Sequence, residues 1–238
     1  MRPRRKEVCM KKLLAALLTL LLTLTACGGG GLTTFDAEDY LRGQINATYR
    51  GAFDEAWLEQ VSLTEEEAQA AYEAGLDLEY QYFSAFFHFD ETYITEETRQ
   101  AVKDLLAELY QKSRCEILRV EKSGNGFSAQ VKVQPVDLIA LVSDTYMEAY
   151  AAEFSARYGE TTLGDLETMP EADQADFWTA YENDWAMGIV ELVRTHLSEL
   201  GYREAVTILL QFLPDEEGWF SIPETDFAHL DALILAYE

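Results

Sequence analysis

Apolar side chains recur along most of this 238-residue chain at intervals of three and four, and in two places the interval drops to two. The first rhythm predicts amphipathic helices, the second strands with one wet face. Leu41, Ile45 and Thr48 mark the inner face of a first helix, with Asp36 placed to cap it and Gly51 to break it. A short helix follows through Trp57. Thr64 and Glu67 form a capping-box pair that opens a long helix to about Phe87. Thr95 caps the next, whose stripe is Val102, Leu105, Leu106, Leu109 and Tyr110.

The interval of two appears first in Phe127, Ala129, Val131 and Val133, alternating with Ser128, Gln130, Lys132 and Gln134. This strand is expected to pair with residues 115–120 through Gly124-Asn125-Gly126, whose residues tolerate the positive φ of a tight hairpin. After Pro135, Asp137 is placed to cap a helix to about Tyr158, with Gly159 behind it. Pro170 fits the first turn of a long helix ending at Gly201. Val206, Ile208, Leu210 and Phe212 then share one face of a strand, residues 214–218 turn, and Trp219 to Ile222 return. Phe227 to Ala236 closes the chain as a helix. The pattern predicts an α+β fold: amphipathic helices packed on one face of a small antiparallel sheet built from two β-hairpins. An isolated hairpin is marginal, which favours one joined sheet. Helix, hairpin and helix follow each other twice, so residues 35–238 form one α+β domain with halves at 35–158 and 159–238.

The first residues break this rhythm. Six bases between Arg2 and Lys12 precede an apolar run, Leu13 to Ala26, of 14 residues. That is shorter than the roughly 20 needed to span a bilayer. A basic start, a short apolar middle and small residues at the end make a secretory signal peptide, residues 1–26. Leu24-Thr25-Ala26-Cys27 resembles the lipobox of bacterial lipoproteins. The resemblance implies a diacylglyceryl group on the Cys27 thiol and cleavage just before it. Two acyl chains anchor stably where one binds marginally. Residues 27–34, with four consecutive glycines, then serve as lipidated cysteine and tether.

Cleavage changes the charge. The signal holds six of the 18 Lys and Arg and one of the 43 Asp and Glu, which leaves −30 after Cys27. Such a surface repels nucleic acid and anionic headgroups, so no nucleic-acid partner is expected and the lipid must hold the protein at the membrane. With Cys9 removed and Cys27 acylated, Cys115 stands alone and fits a small core residue at a strand start.

No motif for catalysis or cofactor binding stands out. His88, His196 and His229 lack zinc-ligand spacing, and there is no Gly-x-Ser-x-Gly elbow, phosphate loop or calcium loop. The Asn46-Ala47-Thr48 sequon falls inside a predicted helix. The chain is expected to be non-catalytic and to need no cofactor or metal. The rings between Tyr80 and Phe89 fill a core or line a ligand pocket, the core being the simpler reading. Two ionisable residues fall inside apolar stripes. His196 lies among Trp178, Tyr181, Trp185, Ile189, Leu192, Val193 and Leu200, and Glu79 among Ala68, Ala71, Tyr72, Gly75, Tyr82, Phe83 and Phe86. A buried carboxylate or imidazole needs a partner. Helix-end carbonyls or Glu199 would serve His196, and a wet groove would serve Glu79. The functional reading places both in one ligand cavity.

Residues 35–41 (Phe-Asp-Ala-Glu-Asp-Tyr-Leu) and 49–55 (Tyr-Arg-Gly-Ala-Phe-Asp-Glu), with the strand Ala205-Val206-Thr207-Ile208-Leu209-Leu210, resemble a group of Gram-positive lipoproteins that carry an extracytoplasmic domain of unknown function. The resemblance implies a lipid-anchored domain on the outer face of the cytoplasmic membrane, and it brings no catalytic residue. Two functions fit: an acidic, non-catalytic domain displayed for a protein or cell-wall partner, or a small-molecule binding domain with an aromatic-lined cavity between sheet and helices.

Overall fold

The computed structural model describes residues 33–159, 161, 163–214 and 220–238. The signal peptide, Cys27, the four glycines, residues 215–218 of the expected turn and Trp219 lie outside the described residues, while Thr33 and Thr34, expected in the tether, cap and open the first helix. Helix α1 is Thr34–Arg50. Its cap is Thr33, not Asp36. Asp36 stands three residues on, and its carboxylate accepts the Thr33 backbone N–H, completing a capping box. Gly51 ends α1 at φ 57, a conformation that costs a residue with a Cβ. Helix α2, Glu55–Val61, packs Trp57 against Gly43 so closely that a Cβ there would lie 2.1 Å from the indole. Helix α3, Glu65–Phe86, starts from the Thr64–Glu67 capping box, and α4, Glu96–Tyr110, starts from Thr95.

Strands β1 (Arg114–Ser123) and β2 (Gly126–Gln134) form the first hairpin, with Gly124 at φ 59 in its turn. A bulge between Ile117 and Arg119 resets the alternation of β1. Cys115, Ile117 and Val120 oppose Val133, Val131 and Ala129, while Leu118 is turned out at 46% exposure. Strand β3, Val206–Pro214, lies antiparallel to β2 and joins the two hairpins into one sheet of order β1-β2-β3-β4, where β4 is only Phe220–Ser221. Phe127, Ala129, Val131, Val133, Ile208, Leu210 and Phe212 are buried on one face. Val206 departs from the expected row at 39% exposure, because at that end of β3 the inner face opens on a cavity.

The helices cover this face. Tyr40 of α1 meets Phe212 edge-on at 5.8 Å, and Leu41, Leu105, Leu106 and Leu109 of α1 and α4 are fully buried. The fold is therefore α+β, with its core between helices and sheet.

Three helices differ from the expected spans. Residues 138–158 form two helices, α5 (Leu138–Thr145) and α6 (Met147–Tyr158), because Tyr146 leaves the helical path at φ −115 and turns its ring onto His196. Asp137 precedes α5 without capping it; its carboxylate accepts the Gly201 N–H at 2.8 Å. After the short α7, Leu163–Thr168, helix α8 runs Glu171–Thr195, with Pro170 ahead of it in extended conformation. It stops at Thr195, and a tight 3₁₀ turn, Leu197–Glu199, replaces the last turn expected up to Gly201. The closing helix α9, Glu224–Asp231, ends five residues before Ala236. Val136 captures the chain there: its N–H donates to Ile234 at 2.9 Å and its carbonyl accepts from Ala236 at 2.8 Å.

Candidate functional site

The capture of residues 234–236 by Val136 decides where the C-terminal segment lies. It carries Tyr237 against α3, where the ring meets Tyr82 edge-on at 4.6 Å and Phe86 at 5.1 Å. Between α3, this segment, the end of α9 and the approach to β3 lies a cavity of about 820 Å³. Small-molecule sites commonly span about 300–1,000 Å³. Leu78, Tyr82, Val206, Leu233, Leu235 and Tyr237 supply most of its apolar wall. Its ionisable lining is Glu79, Asp231, Glu204, Glu238 and Arg203. Four acids thus face one base.

Glu79 is the hub. The Tyr110 hydroxyl, at the end of α4, donates to Glu79 Oε2 at 2.8 Å, and the Tyr237 hydroxyl donates to Oε1. Crowding by protein pushes the Glu79 carboxyl above the usual carboxylate range, and the two phenols oppose that shift. Asp231 is the last residue of α9. Burial, then the negative charge of Glu79, push its carboxyl up to about 7, while the nearby Tyr49 hydroxyl acts the other way. Burial and these carboxylates hold the Tyr110 and Tyr237 phenols well above their ordinary values. Neither Glu79 nor Asp231 has a cationic side chain in ion-pair contact among the described residues. The group can therefore accept hydrogen bonds from a ligand, take up or release a proton, and stabilise positive charge.

His196 lies elsewhere. The structure does not bring it together with Glu79: it caps the end of α8 and is not part of the cavity wall. Its side chain is 17% exposed, its ring stacks on Tyr146 at 3.6 Å, and Nδ1 lies 2.6 Å from Glu199. Tyr146 also donates to Glu199 at 2.8 Å, and these two contacts hold the Glu199 carboxyl below its ordinary range. This is a local clamp between α5, α6 and the 3₁₀ turn. Cys115 is half-buried at the start of β1, and burial raises its thiol to about 11, which makes it a poor nucleophile.

The aromatic run divides between both expected roles. Tyr80, Phe83, Phe87 and Phe89 are core, whereas Tyr82 opens on the cavity. Tyr82 therefore leaves the buried stripe expected for α3, and Leu76 and Tyr80 take its place. The sequence reading missed Asp231 and Tyr237. Asp231 had a signal: it follows Phe227 by four residues and precedes Ile234 by three, inside an apolar stripe. Tyr237 had none, since a chain captured by Val136 has no helical phase.

Among the described residues no group of three or more His, Cys, Asp and Glu side chains is arranged to hold a metal ion, and no helix is long and apolar enough to cross a membrane. No family model and no curated protein matches the chain. The structure is similar to that of ycdA from Bacillus subtilis, a protein assigned as a lipoprotein, with a TM-score of 0.54. The two are 11% identical over 83% of this chain and 55% of that one. The chain thus spans about half of the neighbour's length, and the likeness is one of fold.

Proposed function

We propose that this protein is a lipid-anchored binding protein of the Gram-positive cell surface, whose cavity beside Glu79 receives a small molecule. The observation that carries the reading is the cavity itself: about 820 Å³, with a mostly apolar wall and carboxyl and phenol groups converging from α3, α9 and the C-terminal segment. An apolar cavity with a few convergent polar groups is the usual form of a ligand site. The lipobox at Cys27, the signal peptide before it and the fold shared with a protein assigned as a lipoprotein support an extracytoplasmic, membrane-tethered setting. The acidic surface keeps the domain off anionic headgroups, leaving the cavity open to the solvent outside the membrane. The reading requires no catalysis, and no step of it needs a cofactor.

The test is a fragment screen by ligand-observed NMR on the full chain in phosphatidylcholine vesicles, repeated on Ala232→Trp. Ala232 is exposed on the cavity wall, so an indole there fills the space without entering the core. Fragments that bind the parent and not the variant support the reading. Equal binding to both proteins, or none to either, contradicts it.

A further inference from the structure

Glu79 and Asp231 present an unusual problem for one cavity floor. Two partly buried carboxyl groups line it, and among the described residues neither has a cation in ion-pair contact. Both line the same cavity, where like charges repel. Charge taken out of water is normally paired, because an unpaired one keeps its full desolvation cost. Phenol hydrogen bonds from Tyr110 and Tyr237 meet part of that demand at Glu79. They bring no positive charge. The rim adds Glu204 and Glu238 against the single Arg203, which is exposed to solvent.

The walls add a second, independent feature. Tyr82 and Tyr237 meet edge to face beside the two carboxyls, and Leu233 and Leu235 continue the apolar surface. Tyrosine faces attract cations as well as apolar groups. A wall of this kind around an acidic floor discriminates by charge and by shape together.

We propose that the cavity binds an organic cation, with its ammonium group between Glu79 and Asp231 and its apolar body against Tyr82, Leu233 and Leu235. This rests on the cavity being a ligand site and adds the chemical class of the ligand. The ammonium would donate hydrogen bonds to the carboxylates on both sides and would remove the repulsion between the two acids. An inorganic monovalent ion would leave the apolar wall unfilled. A carboxylate or phosphate ligand would meet four acids.

The experiment compares three probes of the same size on the full chain in phosphatidylcholine vesicles, at about pH 8, where the amine is protonated and carboxyls are largely ionised. Phenethylamine carries the positive charge, 2-phenylethanol is neutral and phenylacetate is negative. The expected result is that phenethylamine binds about tenfold more tightly than either, and that on Glu79→Gln its affinity falls to that of 2-phenylethanol for the same variant. Glutamine still accepts a phenol hydrogen bond, and thermal melting of the variant checks that the fold is retained. Should the variant unfold, the ranking of the three probes on the parent decides alone. A ranking with 2-phenylethanol or phenylacetate first overturns the cation and leaves the cavity as a ligand site of another class. Absence of phenethylamine binding at millimolar concentration overturns the cation whatever the other probes do. Failure of every fragment in the screen described above overturns the ligand site itself.

Discussion

The Tyr110 hydroxyl donates a 2.8 Å hydrogen bond to Glu79, tying the end of α4 to α3 beneath the cavity. Tyr110→Phe deletes that donor and leaves the carboxyl with Tyr237 alone. The expected cost is about 1–3 kcal/mol of stability, the price of an under-satisfied buried acceptor. The Glu79 carboxyl should also move further up, because one of the two contacts opposing its shift is gone. Urea denaturation and a side-chain carboxyl NMR titration check both. An unchanged midpoint with an unchanged titration would mean that the bond contributes nothing.

Asp231 gives the protein a pH dependence with a definite sign. Its carboxyl titrates at about 7 in the folded chain against an ordinary 3.8. Between those values the folded state keeps the proton and the unfolded state has lost it. The stabilisation is therefore present at low pH and is lost as pH rises toward 7. The groups acting on Asp231 are Glu79 from α3 and Tyr49 from α1, while Tyr110 and Tyr237 feel its charge in turn. Asp231→Asn removes this titration. Relative to the parent, it should gain on the order of 2–4 kcal/mol between about pH 4 and pH 8. Unfolding curves at both pH values measure the difference, and parallel profiles for the two proteins would contradict it.

The sheet separates two substitutions that look alike on paper. Val131 is fully buried between β1 and β3, whereas Leu209, on the outer face of β3, is 53% exposed. Val131→Asp places an unpaired charge in the core and should cost more than about 3 kcal/mol; Leu209→Asp should cost less than about 1. Thermal midpoints of the two variants report the order. Equal losses would mean that the face of the sheet turned to the helices has been misassigned.

Much of the architecture was legible because local chemistry and tertiary packing agree. The capping box at Thr64–Glu67 and the alternation from Ala129 to Val133 appear in the fold where the sequence puts them, while Ser128, expected on the wet face, is buried. The reading failed where distant groups take over the backbone. Val136 ends α9 early, Gly201 draws Asp137 away from its helix, and the Tyr146–His196 stack interrupts what looks like one helix. Helical phase singled out Glu79, yet its partners Tyr110 and Tyr237 are 31 and 158 residues away in sequence, beyond any periodicity. The same phase drew attention to His196, but a position in an apolar stripe says only that something packs there. In its case the neighbours are Tyr146 and Glu199.

The proposed anchor depends on one atom. Cys27→Ser removes the thiol that the lipobox resemblance implies is acylated. Metabolic labelling with a radioactive fatty acid should mark the parent and not the variant, and the variant should keep its signal or leave the cells. Label retained on Cys27→Ser would contradict the anchor.

The claim that the cavity beside Glu79 is the ligand site is tested most directly by mapping a bound fragment on the backbone. Amide shifts of the full chain would be followed as a fragment from the screen is titrated in. The account predicts the largest changes at Leu78, Tyr82, Leu233, Leu235 and Tyr237, which wall the cavity on opposite sides. Changes confined to the outer face of the sheet, around Leu118 and Leu209, or to the clamp at Tyr146 and His196, would contradict it.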